Sequence, residues 1–251
     1  MSAASFYEQL WQIVAFSLLP LVAAISGAAI AARRPPGPGM RSNIQHLAAG
    51  VVFSVVAVEI LPGVTHRQQP LLLTIGFSLG VALMLGLEWY SARTEKIENE
   101  EEVASGSNMS LLVALGVDVF LDGLLIAISF KAGAQAGKLL ALALSVELLS
   151  TALALASTLG RQGVSFVRNV ATNAAVFSLL VVGAAVGAGF SPYLEGAVLD
   201  LILSFGLAAL LFLVTEELLV EAHKEPETPF STALFFIGFV VFLLLGMSLA
   251  A

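Results

Sequence analysis

The chain has 251 residues, 58% of them hydrophobic and only 12% charged, with a net charge of −7 and no cysteine. A mean hydropathy of +0.95 excludes an ordinary soluble domain. The acidic balance argues against nucleic acid as a partner, and the missing thiols remove disulfides and thiolate metal ligands together. What remains is an all-α integral membrane protein.

A membrane-crossing helix needs about 20 mostly apolar residues. Eight stretches qualify: 10–32, 42–64, 70–92, 109–130, 138–159, 170–190, 197–220 and 230–250. They consume nearly everything, so residues 1–251 read as a single polytopic domain lying in a lipid bilayer. No Lys or Arg precedes the first stretch; the positive start of a secretory signal is missing, and the span is expected to be retained. It ends on Arg33-Arg34-Pro35-Pro36-Gly37-Pro38-Gly39, a stiff basic turn. The second span starts near His46 and closes on Glu59-Ile60-Leu61-Pro62, with His66 and Arg67 in the connection beyond. The third ends on Glu88-Trp89-Tyr90, an interfacial pattern in which Glu88 snorkels to water. It leads into the longest connection, 93–108, where five glutamates stand against Arg93 and Lys96; like-charge runs of this kind form solvated loops.

Positive residues are retained on the cytoplasmic side. The 1–2, 3–4, 5–6 and 7–8 connections hold eight Lys and Arg and the opposite ends hold Arg67, Lys131 and Lys138. Both termini are therefore expected outside the cytoplasm, with the acidic loop inside, in a multi-pass protein of the cell (inner) membrane.

The fourth span carries two aspartates, Asp118 and Asp122, one helical turn apart and so on one face. A charge at bilayer depth costs at least ~2.5 kcal/mol, which makes the pair a candidate cation site. In the fifth span Glu147 shares a side of its helix with Ser150 and Thr151, and Ser145 lies close by in sequence, so four further oxygen ligands are available. The seventh span repeats the close of the second: Glu217-Leu218-Leu219-Val220 against Glu59-Ile60-Leu61-Pro62. Because spans 2 and 7 cross in opposite directions, the copies are inverted, as in secondary transporters. Glu59, Glu216, Glu217 and His223 are candidates for cation entry or exit. Every Lys and Arg lies near a helix end, so the intramembrane acids must be protonated, hydrated or neutralised by something that comes and goes. Gly76 to Gly80 and Gly183 to Gly187 provide small faces for tight helix packing.

These motifs together resemble the ZIP (Zrt-, Irt-like) family of divalent metal transporters. The segment from Ala48-Ala49-Gly50 to Glu59-Ile60-Leu61-Pro62 is similar to that family's second span, Thr215 through His223 to its seventh, and Asp118-Val119-Phe120-Leu121-Asp122-Gly123 to its fourth-span His-Asn-x-x-(Asp/Glu)-Gly. The chain departs from the pattern where Asp118 replaces a metal-binding His, where Val119 replaces Asn, and in the fifth span, which lacks the Pro-Glu segment and leaves Glu147 off register. The resemblance implies a 3+2+3 arrangement of eight helices with an inverted repeat, alternating access around a midplane site, a homodimer, and one altered site in place of a two-metal centre. Asp118 and Asp122 would be direct ligands, with Glu147 as third ligand or gate and Ser145, Ser150 and Thr151 as supplementary oxygens. The divalent cation (Zn, Mn or Fe) is substrate rather than cofactor, and no enzymatic activity is expected. Carboxylate and hydroxyl ligands favour Mn²⁺ or Fe²⁺, while membership would pull toward Zn²⁺. The alternative is a proton-coupled carrier or regulator of a non-metal solute on the same fold. An intramembrane aspartyl protease would need aspartates from two helices and a Gly-x-Gly-Asp, which the sequence lacks.

Overall fold

A computed structural model describes residues 3–100, 109–226 and 228–250, and these are almost wholly helical, with no strand among the described residues. The eight long helices are α1 (Ala3–Arg33), α2 (Pro38–Thr65), α3 (Pro70–Glu100), α4 (Met109–Ala132), α5 (Ala134–Arg161), α6 (Phe166–Tyr193), α7 (Gly196–Ala222) and α8 (Pro229–Ala250). Each is long and apolar enough to cross a membrane. Prolines open α2, α3 and α8, where a missing N–H is harmless because the first-turn donors have no intrahelical partner anyway.

Three helices depart from simple α geometry. Residues Val56–Ile60 of α2 and Leu213–Leu218 of α7 are π-helical, and α6 is interrupted at Ser178. π segments widen one turn and tend to occur at functional positions; these two contain Glu59 and the Glu216–Glu217 pair. Helix α3 continues well past residue 92, through Glu100. No Gly or Pro falls between Leu87 and Ala104, so nothing local stops it. The first half of the acidic connection is therefore helical, and its remainder, 101–108, lies outside the described residues, as does Ser2 at the amino terminus.

Helix α5 is the most deeply buried span and packs against α1 and α2, while α4 packs against α6, α2 against α8 and α3 against α7. In lipid there is no hydrophobic gain from pairing two apolar helices, so association depends on close backbone approach at small residues. Gly50 and Gly238 supply it between α2 and α8, Gly76 and Gly80 between α3 and α7, and Gly123 and Gly183 between α4 and α6. A Cβ on Gly50 would run into the Phe235 carbonyl, and one on Gly123 into the Leu180 carbonyl. Both small-residue motifs visible in the sequence thus find their partners: α7 for Gly76 and Gly80, α4 for Gly183 and Gly187.

Candidate functional site

The arrangement of α2, α4, α5 and α7 leaves a cavity of about 480 Å³, lined by Asp118, Glu147, Thr151, Glu216 and Glu217 in its depth. Its mouth carries Arg41, Glu221 and Lys224. A second cavity of about 240 Å³ adjoins it between α3, α4 and α7, sharing Asp118, Glu216 and Glu217 and adding Glu88. Glu88, expected only to snorkel, is thus part of the cavity wall. The mouth residues sit at the start of α2 and the end of α7, so the larger cavity opens at that end of the bundle.

Asp118 stands on the wall of both cavities. Asp122, one turn further along α4, is 3% exposed, does not line either cavity, and has one carboxylate oxygen, Oδ2, without a hydrogen-bond partner. Glu147 is 1% exposed; its Oε1 accepts a 2.7 Å hydrogen bond from the Thr151 hydroxyl, and its Oε2 has no partner. Glu217, carried by the π segment of α7, is exposed to the cavity rather than enclosed. Each of the four carboxyl groups of Asp118, Asp122, Glu147 and Glu217 lies within electrostatic reach of the other three, and Glu88 is within reach of Glu217. Negative charge is therefore concentrated by three helices on one small volume. The carboxylates surround that volume without closing on a point: no group of three or more His, Asp or Glu side chains stands at metal-holding distances among the described residues.

The expected hydroxyl ligands divide. Thr151 lines the cavity, whereas Ser145 and Ser150 do not; the Ser145 hydroxyl donates to the Ala141 carbonyl at 2.7 Å. Helix geometry accounts for this. At ~100° per residue, Thr151, Leu155 and Thr158 lie on one flank of Glu147, Ser150 lies on the other, and Ser145 faces almost oppositely. Of the entry and exit candidates, Glu216 and Glu217 line both cavities. Glu59 lies at the far end of α2, where Gln135 Nε2 donates to its Oε1 at 3.2 Å and to the Gly246 carbonyl at 2.9 Å. His223 stacks edge-on against His46 with ring centroids 5.3 Å apart. His46 is buried, its Nδ1 is 2.9 Å from the Ser42 carbonyl oxygen, and the Ser42 hydroxyl donates to the Ala222 carbonyl at 2.8 Å. The two histidines join the ends of α2 and α7.

Other acids have basic partners, two of them, Arg67 for Asp200 and Arg41 for Glu221, far away in the sequence. Arg67 donates to Asp200 at 2.5 Å at the end of the bundle away from the cavity mouth. At the mouth, Glu221 pairs with Arg41 at 3.2 Å and with Lys224. These acids are neutralised internally, whereas among the described residues no ion pair reaches Asp118, Asp122, Glu147 or Glu217. Nothing local distinguished Asp200 from these four in the sequence, because the Arg67–Asp200 pair bridges 133 positions.

What such a site can do follows from charge. Four acids with no basic side chain among them favour a cation, and a multivalent one most, since a single ion then relieves several repulsions at once. Oxygen-only donors suit hard divalent ions. No protein-family model matches the chain and no curated protein matches it, so the reading of this site rests on its geometry.

Proposed function

We propose that the chain carries divalent metal cations across a membrane, as a ZIP-like transporter in which Asp118, Glu147 and Glu217 face the ion and Asp122 reinforces the negative field behind them. The observation that supports this best is the convergence of uncompensated carboxylates from α4, α5 and α7 on a cavity open toward one end of the bundle. In this reading α1–α3 and α6–α8 are two repeats flanking α4 and α5, the 3+2+3 arrangement, and the cavity mouth is cytoplasmic, with both termini outside. The positive bias of the connections supports that sidedness. The substrate is Mn²⁺ or Fe²⁺ in preference to Zn²⁺, because the donors are oxygens.

The second reading, a proton-coupled carrier of a non-metal solute, draws on Arg41 and Lys224 at the mouth of a cavity roomier than a bare ion requires. Thermal unfolding in detergent separates the two. A ligand that binds only the folded state stabilises it by RT ln(1 + [L]/Kd), about 2.7 kcal/mol at a hundred-fold excess over Kd. For a chain of this size that corresponds to a rise of roughly 5–10 °C in Tm. Mn²⁺ should produce such a rise and Na⁺ at equal ionic strength should not. If no divalent ion shifts Tm while solutes bearing an anionic group do, the carrier of a non-metal solute is the correct reading.

A further inference from the structure

The end of the bundle opposite the cavity mouth is built from the same parts as the mouth. A Cβ on Gly80 of α3 would lie 2.7 Å from the Phe205 carbonyl oxygen of α7, and one on Gly238 of α8 would lie 2.5 Å from the Leu47 carbonyl oxygen of α2. Gly80 and Gly238 are 158 positions apart; so are Leu47 and Phe205, and so are Glu59 and Glu217. The same offset carries the π segment Val56–Ile60 onto Val214–Leu218, which lies within the π segment of α7. Two backbone contacts, two local helix distortions and two glutamates thus share one register. Helices α2–α3 and α7–α8 are therefore structural copies, and because α2 and α7 cross in opposite directions they are related by inversion through the bundle.

The copies differ in the surroundings of the glutamate. Glu217 faces the cavity, whereas Glu59 is capped: Gln135, at the first turn of α5, bridges it to the Gly246 carbonyl near the end of α8. Three helices are fastened together there by one side chain. Glu59 itself packs against the α8 backbone, its Oε1 being 3.4 Å from where a Cβ on Gly246 would stand.

We propose that Glu59 is the second cation carboxylate of this repeat, taking at its own end of the bundle the part Glu217 plays here once the Gln135 bridge to Glu59 and Gly246 opens. The latch stands on the geometry alone; the cation role of Glu59 rests on the function proposed above. A two-state element whose ends are related by inversion has two equivalent arrangements, one end open and the other fastened. Breaking the fastening shifts the population toward the state open at the Gln135 end.

The chain contains no cysteine, so a single introduced one reports accessibility without background. Ala143 is fully buried on α5, one turn from Glu147 and two from Gln135. In Ala143→Cys, a membrane-impermeant thiol reagent applied from the Lys131 side should label slowly. Adding Gln135→Ala should speed labelling from that side roughly ten-fold or more, the change expected when one hydrogen bond to a charged group holds a two-state balance. Gln135→Asn, too short to span both acceptors, should act the same way should the alanine variant fold poorly. An unchanged rate in the folded variant overturns the latch. Mn²⁺ should then slow labelling in the Gln135→Ala background and should lose that effect when Glu59→Gln is added. Equal protection with and without Glu59→Gln overturns the role of Glu59. Faster labelling with no protection in either background leaves the latch standing and overturns the cation reading.

Discussion

Replacing Glu147 by Gln should reduce divalent cation uptake about a hundred-fold or more while leaving the folded protein intact, and Asp118→Asn should do nearly the same. The first half of that expectation follows from charge: removing a ligand from a site with few donors loses at least as much as removing a supporting group, which itself costs about 10–100-fold in metal affinity. The second half follows from local bonding. A glutamine at 147 still accepts the Thr151 hydroxyl that Glu147 Oε1 accepts at 2.7 Å. Its amide also relieves repulsion among four mutually close acids. Folded yield and Tm without added cation should therefore be unchanged or higher. Asp122→Asn belongs to the same series, but with an effect through the field, because Asp122 does not line the cavity. Radiotracer uptake into proteoliposomes, normalised to folded protein, is the measurement; wild-type rates in both Glu147→Gln and Asp118→Asn would leave these acids as buried hydrogen-bonding groups.

Asp118→His should exchange one ion preference for another rather than abolish transport. Asp118 lines both cavities on α4, where a side chain of imidazole length has open space ahead of it. The substitution removes one negative charge and supplies a nitrogen donor, which suits zinc, whereas carboxylates suit manganese. The Zn²⁺ over Mn²⁺ preference should rise by roughly ten-fold or more, the order of a single ligand change. Competition between the two ions in vesicles carrying each version reads it directly. An unchanged ratio would mean that Asp118 does not touch the ion, and would shift attention to Glu147 and Glu217.

Much of this fold is legible because bilayer-length apolar runs, bounded by Pro and Gly, fix where helices begin and end. All eight spans follow from that alone. Which faces meet does not. Chains apolar all round carry no amphipathic stripe to orient them, and packing in lipid is decided by close backbone approach. Gly80 could be recognised as a packing residue, but its Phe205 partner could not. In the site, the spacing of Asp118 and Asp122 puts both on one face of α4, of which only Asp118 reaches the cavity, and the turn from Glu147 to Thr151 places both on the cavity wall. Ser150 shares that side in the sequence because positions three and four apart both lie near Glu147, but Thr151 lines the cavity and Ser150 does not.

Glu217 joins this group from a different helix, and its central position depends on tertiary packing that no spacing rule reaches. The signal was nevertheless present, as the repeated Glu59 and Glu217 segments. Gln135 carried no signal at all, being one polar residue at the start of an apolar helix. Its partners are 76 and 111 positions away.

In the proposed function the carboxylates of α4, α5 and α7 receive one divalent cation in the path across the membrane. The most direct measurement is anomalous scattering at the manganese edge from crystals grown with Mn²⁺. A single strong peak between Asp118, Glu147 and Glu217, absent in crystals of Glu147→Gln, is the predicted result. No peak in that cavity, or a peak confined to the His46 and His223 pair, would contradict it.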